Sequence, residues 1–86
     1  MVTAIVLLNA EPSQVAALGR QLADVEGVEV AYSVAGDEDL VAVVRASDHE
    51  SLADTVTQRI APLTGITRTR TLIAFRAYST DDIANF

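Results

Sequence analysis

Four stretches of the chain alternate or concentrate apolar residues at strand spacing, and two others do so at helical spacing. Val2 to Leu8 is apolar on both of its alternating faces, with Val2, Ala4, Val6 and Leu8 on one and Ile5 and Leu7 on the other. A strand of that kind is covered on both sides and belongs in the middle of a sheet. Glu11-Pro12-Ser13 then opens a helix, with proline in the first turn where its missing N–H costs nothing. Val15, Leu18, Leu22 and Val25 form one helical stripe, and Gly27 ends it. Val28 to Val34 alternates strictly, with Val28, Val30, Tyr32 and Val34 against Glu29, Ala31 and Ser33, which predicts a half-exposed strand.

The second half repeats the plan. Gly36-Asp37-Glu38-Asp39 reads as a turn, and Leu40 to Val44 is again apolar on both faces. Ser47-Asp48-His49-Glu50 has the form of a capping box, serine at the N-cap and glutamate three residues on. Leu52, Val56, Ile60 and Leu63 give a second helical stripe that stops at Gly65, and Ile66 to Tyr78 reads as a long last strand. At a constant offset of 38 residues, Val2 maps to Leu40, Val6 to Val44, Leu18 to Val56, Leu22 to Ile60 and Gly27 to Gly65. Two βαβ halves of this length predict an α+β, ferredoxin-like βαββαβ domain: a four-stranded antiparallel sheet with two helices on one face. Its first and third strands are central, as their apolar faces require. The other sheet face has no helix to cover it, which predicts an interaction surface and a symmetric homodimer, sheet to sheet.

At 86 residues the chain holds one domain. The expected limits are residues 1–78 for the domain and 79–86 for an acidic tail that is polar except for Ile83 and Phe86. A domain this small gains from oligomerisation, having no cysteine to staple it. The net charge is -6 and the six basic residues are all arginine, scattered along the chain. Direct nucleic-acid binding needs a basic stripe and is not expected. The first apolar run is too short for a membrane span and no basic segment precedes it, so a cytoplasmic protein without membrane contact is expected.

Catalytic chemistry has few candidates. There is no cysteine and no lysine, and His49 opens a helix with no nucleophile near it in sequence. Neither catalytic nor metal-ligating residues are assigned, and no cofactor is expected. Asp37-Glu38-Asp39 lacks the alternate spacing of a calcium loop. It reads either as a solvated turn or as a loop that holds a small polar ligand at the entry to a central strand. Thr67, Thr69 and Thr71 share one face of the last strand, opposite Arg68 and Arg70. The threonines are good strand formers and also adaptable hydrogen-bonding groups, and the arginines can take a carboxylate or pair with acids of a neighbouring subunit.

Taken together, Gly27-Val28, the segment Tyr32-Ser-Val-Ala-Gly36-Asp-Glu-Asp39-Leu-Val-Ala-Val-Val, and Gly65-Ile66-Thr-Arg68-Thr69-Arg-Thr71-Leu-Ile resemble the effector-binding (RAM) domain of Lrp/AsnC-type regulators over about residues 2 to 78. The resemblance implies sheet-paired dimers that associate further, often into octamer-like rings. It also implies an amino acid or related small molecule bound where dimers meet, near the Gly-x-x-Asp turn. Carried onto this chain, the ligand-binding residues are Gly36, Asp37, Asp39, Leu40, Thr69 and Thr71. Asp37 and Glu38 stand where many relatives carry an aromatic or an amide. The family's helix-turn-helix does not precede Val2, so the expected form is stand-alone: a free sensor linked to transcriptional regulation, or one that co-assembles with a full-length Lrp/AsnC regulator. Competing readings are a purely structural oligomerisation module, a small dimeric ferredoxin-like monooxygenase, and an ACT-type amino-acid-binding domain.

Overall fold

A computed structural model of the chain describes residues 1–80. Its elements are β1 (Val2–Ala10), α1 (Val15–Asp24), β2 (Val28–Ser33), β3 (Leu40–Ala46), α2 (His49–Asp54) and β4 (Ile66–Ala74). A short 3₁₀ turn, Pro12–Gln14, leads into α1, and α2 continues as a π-helical segment, Thr55–Ile60. The sheet is antiparallel with order β2-β3-β1-β4, so the two strands apolar on both faces are the central pair. This is the ferredoxin-like α+β arrangement.

The core lies between one sheet face and the helices. Ala4, Val6 and Leu8 of β1 and Leu40, Ala42 and Val44 of β3 are buried there against Leu18 and Leu22 of α1, Leu52 of α2 and Ile60 of its continuation. Burying each such leucine or isoleucine stabilises the fold by roughly 1.5–3 kcal/mol. The repeat is visible in the backbone. Gly27 and Gly65, matched at the offset of 38, hold φ of 99° and 101°, the left-handed region where a side chain is strained. Each lets the chain turn from its helical segment straight into the following strand.

Three local expectations change. The strict alternation of Val28 to Val34 breaks at a β-bulge between Val28 and Val30. Val28 pairs with Val44 on the helix side, whereas Val30 and Tyr32 pair with Val43 and Val41 on the open side. One extra residue reverses the side-chain parity of everything after it. The cap of α2 is Asp48, not Ser47: its Oδ1 accepts the Ser51 N–H at 2.8 Å, in extended backbone geometry. A carboxylate is the stronger acceptor for an unpaired helix N–H. That hydrogen bond also holds the Asp48 carboxyl below its ordinary pKa. Finally, β4 ends at Ala74, and 75–79 carries no regular secondary structure, with Arg76, Ala77 and Tyr78 lining a groove beside Ile5, Val30 and Val43.

Candidate functional site

The sheet face away from the helices carries Ile5 and Leu7 of β1, Val41 and Val43 of β3, Val30 and Tyr32 of β2, and Leu72 of β4, by their pairing register. Ile5, Leu7, Val30, Val41 and Val43 are only half-buried, and Tyr32 and Leu72 are about half exposed. The described residues place no helix over this face. Isolated apolar residues on a surface need no explanation, but a contiguous sheet of them marks a contact surface.

At one end of the sheet, the loop before β3 leans over the start of β4. Between them lies an open cleft of about 580 Å³ lined by Leu7 and Asn9 of β1, Asp37 and Glu38 of the loop, and Thr67 to Arg70 of β4. The loop is held by four contacts. The backbone N–H of Asp39 donates to the Leu8 carbonyl (2.9 Å) and that of Val34 to the Asp39 carbonyl (3.0 Å). The Asp39 carboxylate accepts the Ala10 N–H at 2.9 Å, extending the β1–β3 ladder by one side-chain bond beyond the Leu8–Leu40 pair. The Asn9 side-chain amide donates to the Asp37 carbonyl at 2.7 Å. With the loop fixed in this way, Glu38 faces Arg70 across the cleft at 3.3 Å. Arg68 has no ion-pair or hydrogen-bond partner among the described residues. The cleft therefore presents carboxylates on one wall and guanidinium groups on the other.

The six residues carried over from the resemblance fall into different roles. Asp37 and Thr69 line the cleft. Gly36 gives the loop its turn at φ 149°, with open space around it. Asp39 anchors the loop from behind. Leu40 is buried and points to the helices, where it packs against Gly19. Thr71 lies with Ile73 on the helix-side face of β4 and lines a separate apolar groove of about 320 Å³ with Leu52, Val56 and His49. Sequence reasoning weighed Glu38 and Arg70 without assigning them to the site, and passed over Asn9 as a cleft group. Asn9 was readable in principle, being the one polar residue near the end of a strand otherwise apolar from Ala4 onward. Among the described residues no cluster of three His, Asp or Glu could hold a metal ion, and no helix is long and apolar enough to cross a membrane.

Comparisons with known proteins agree with this fold. The family model for the Lrp/AsnC ligand binding domain matches residues 3–83. Among solved structures, TTHA0845 from Thermus thermophilus is 51% identical, over 92% of this chain and 99% of its own, with a TM-score of 0.86. The hypothetical protein PHS023 from Pyrococcus horikoshii is 28% identical, over 91% of this chain and 94% of its own, with a TM-score of 0.82. The feast or famine regulatory protein Rv3291c from M. tuberculosis, solved in complex with L-methionine, is 33% identical over 96% of this chain, with a TM-score of 0.76. This chain spans 56% of that protein's length. No match was found among curated protein sequences.

Proposed function

The chain belongs to the Lrp/AsnC ligand-binding domain family, and on that premise we propose that it senses an amino acid or a closely related small molecule and oligomerises in response. The family's domains are typically regulatory and non-catalytic, and its members form oligomers. In this reading the chain pairs through its open sheet face, and the paired dimers meet around the cleft between the Gly36–Asp39 loop and β4. Its output is the regulation of transcription.

One observation carries the choice of ligand: the cleft sets Asp37 and Glu38 opposite Arg68 and Arg70. An amino acid carries an ammonium and a carboxylate a few ångströms apart. The acids suit the first, and a guanidinium suits the second in bidentate fashion. Asn9 supplies a neutral hydrogen-bonding group beside them. The Glu38–Arg70 pair is partly exposed, so opening it for a ligand costs on the order of 1 kcal/mol or less. Asp39 and Gly36 act by shaping the loop, and Leu40 by fixing the strand it leads into.

A thermal-shift panel of the common amino acids tests this. A ligand at about 100 times its dissociation constant stabilises the folded state by about 2.7 kcal/mol. The expected result is a melting temperature raised by several degrees with at least one amino acid, and a shift that shrinks in Glu38→Gln and Arg70→Gln. A flat panel, or an undiminished shift in both variants, overturns the assignment of this cleft.

A further inference from the structure

The sheet has two edges, and they are built differently. β2, at one edge, is six residues long, carries the bulge between Val28 and Val30, and holds Glu29 in an ion pair with Arg45 at 2.9 Å. Shortness, bulges and charges are the usual devices that keep an edge from pairing with another chain. β4, at the other edge, runs for nine residues, and its register shift lies at its start, opposite Asn9 and Ala10. From Thr71 to its end at Ala74 it has neither a charge nor a proline. Every residue from Thr67 to Ala74 is exposed, including Leu72 at 48% and Ile73 at 43%. Among the described residues no strand pairs with its outer side. A row of free backbone N–H and C=O groups beside exposed apolar side chains is a template for one more strand.

The arginines of β4 select what that strand is. Two copies of β4 can run antiparallel about a twofold axis, and each position of the axis sets a different register. An axis at Arg70 opposes the two Arg70 side chains, and one at Thr69 opposes Arg68 to Arg70. Axes at Leu72 and Ile73 bring Arg76, just past the strand, against Arg68 and Arg70 respectively. Like charges directly opposite one another are destabilising. An axis at Thr71 opposes no two charges: Arg70 faces Leu72, Arg68 faces Ala74, Thr69 faces Ile73, and the two Thr71 residues face each other. This register lays the arginine stems along apolar neighbours and makes a Thr–Thr pair, both favourable across strands.

We propose that β4 pairs edge to edge with β4 of a second copy, antiparallel and centred on Thr71, so that two four-stranded sheets become one continuous sheet. The inference rests on the assembly proposed above for its place: sheet faces make the dimer, and β4 edges join one dimer to the next. It also completes the cleft, because Leu72 and Ala74 of the second copy come to lie beside Arg70 and Arg68 on its guanidinium wall.

Thr71 lies on the helix side of the sheet, away from the face that makes the dimer, so a cysteine there reads edge pairing alone. The chain has no cysteine of its own. Directly opposed residues lie about 4.5–5.5 Å apart at Cα, within disulfide reach. Thr71→Cys should therefore oxidise to a covalent dimer at twice the 9.1 kDa chain mass. Thr69→Cys, on the same side of the strand, is the control: its two copies stand roughly 14 Å apart in this register, beyond bridging. The expected yield from Thr71→Cys is about tenfold that from Thr69→Cys alone, while Thr69→Cys mixed with Ile73→Cys gives a mixed disulfide. Equal yields from the two single variants show random collision and overturn the pairing. Light scattering of the wild type should show a dimer of dimers or larger, which Thr71→Lys reduces to a dimer by opposing two ammonium groups at the axis. A wild-type dimer whose Thr71→Cys variant gives no covalent product overturns edge pairing and leaves sheet pairing standing. A wild-type dimer whose variant gives the product keeps edge pairing and removes sheet pairing. A monomer overturns both.

Discussion

Replacing Asp39 by alanine removes one hydrogen bond, and its cost can be worked from the structure. The carboxylate accepts the Ala10 N–H at 2.9 Å, and Ala10 is 8% exposed, so water cannot fully replace the lost partner. An N–H stranded in this way costs about 1–3 kcal/mol. For a domain of this size that lowers the melting temperature by several degrees or more. Asp39→Asn keeps an acceptor oxygen but loses its charge, and charge-assisted bonds are roughly twice as strong as neutral ones. The asparagine variant should therefore lose about half as much. Urea denaturation of the three proteins checks the order: wild type most stable, asparagine next, alanine last. The same variants should weaken amino-acid binding through the position of Asp37 and Glu38, since the Asp39 side chain does not itself line the cleft. Equal unfolding midpoints for wild type and Asp39→Ala would refute the reasoning, because the ladder extension would then contribute nothing to stability.

Other expectations follow the same logic. Gly65→Ala places a Cβ 2.8 Å from the Gln14 Cβ at φ 101°, whereas Gly36→Ala meets nothing within 4 Å; urea midpoints should show Gly65→Ala the more damaging of the two. Leu22→Ala, at a fully buried core position, should cost about 2–5 kcal/mol in the same assay. The Asp48 carboxyl is held below its ordinary pKa of 3.8, first by the Ser51 backbone N–H. A depressed folded-state pKa contributes stability above the unfolded value and loses it as pH falls through the folded one. Thermal melts taken below pH 3.8 should accordingly show less acid sensitivity in Asp48→Ala than in wild type.

Much of the fold could be read from the chain because two halves repeat one pattern. The glycines at the matched positions, Gly27 and Gly65, end both helical segments with the same backbone geometry. The doubly apolar strands β1 and β3 sit in the centre because both their faces are apolar. The parity switch in β2 was not legible: Glu29 and Val30 look like ordinary members of an alternating strand, and the bulge arises from pairing with β3. The α2 cap was misplaced by one residue because Ser47 and Asp48 are both good caps, and the choice is made by where the chain leaves β3. At the cleft, a turn beside a central strand pointed to the right loop. It could not separate the residues that face a ligand from those that hold the loop. Asp39 and Leu40 adjoin Glu38 in sequence, yet their side chains turn to the β1 ladder and the core. Arg45 was passed over as a scattered charge, since only the strand register places it inside the open face.

The most direct test of the account is the mass of the full chain in solution, measured by light scattering after size exclusion, without and then with each amino acid that shifts its melting temperature. The account predicts a dimer or larger multiple of the 9.1 kDa chain, whose size or proportion of larger assemblies changes with at least one of those amino acids. A monomer that stays a monomer with every amino acid would contradict it, because the proposed sheet pairing and the proposed dimer–dimer site at the cleft would then both fail.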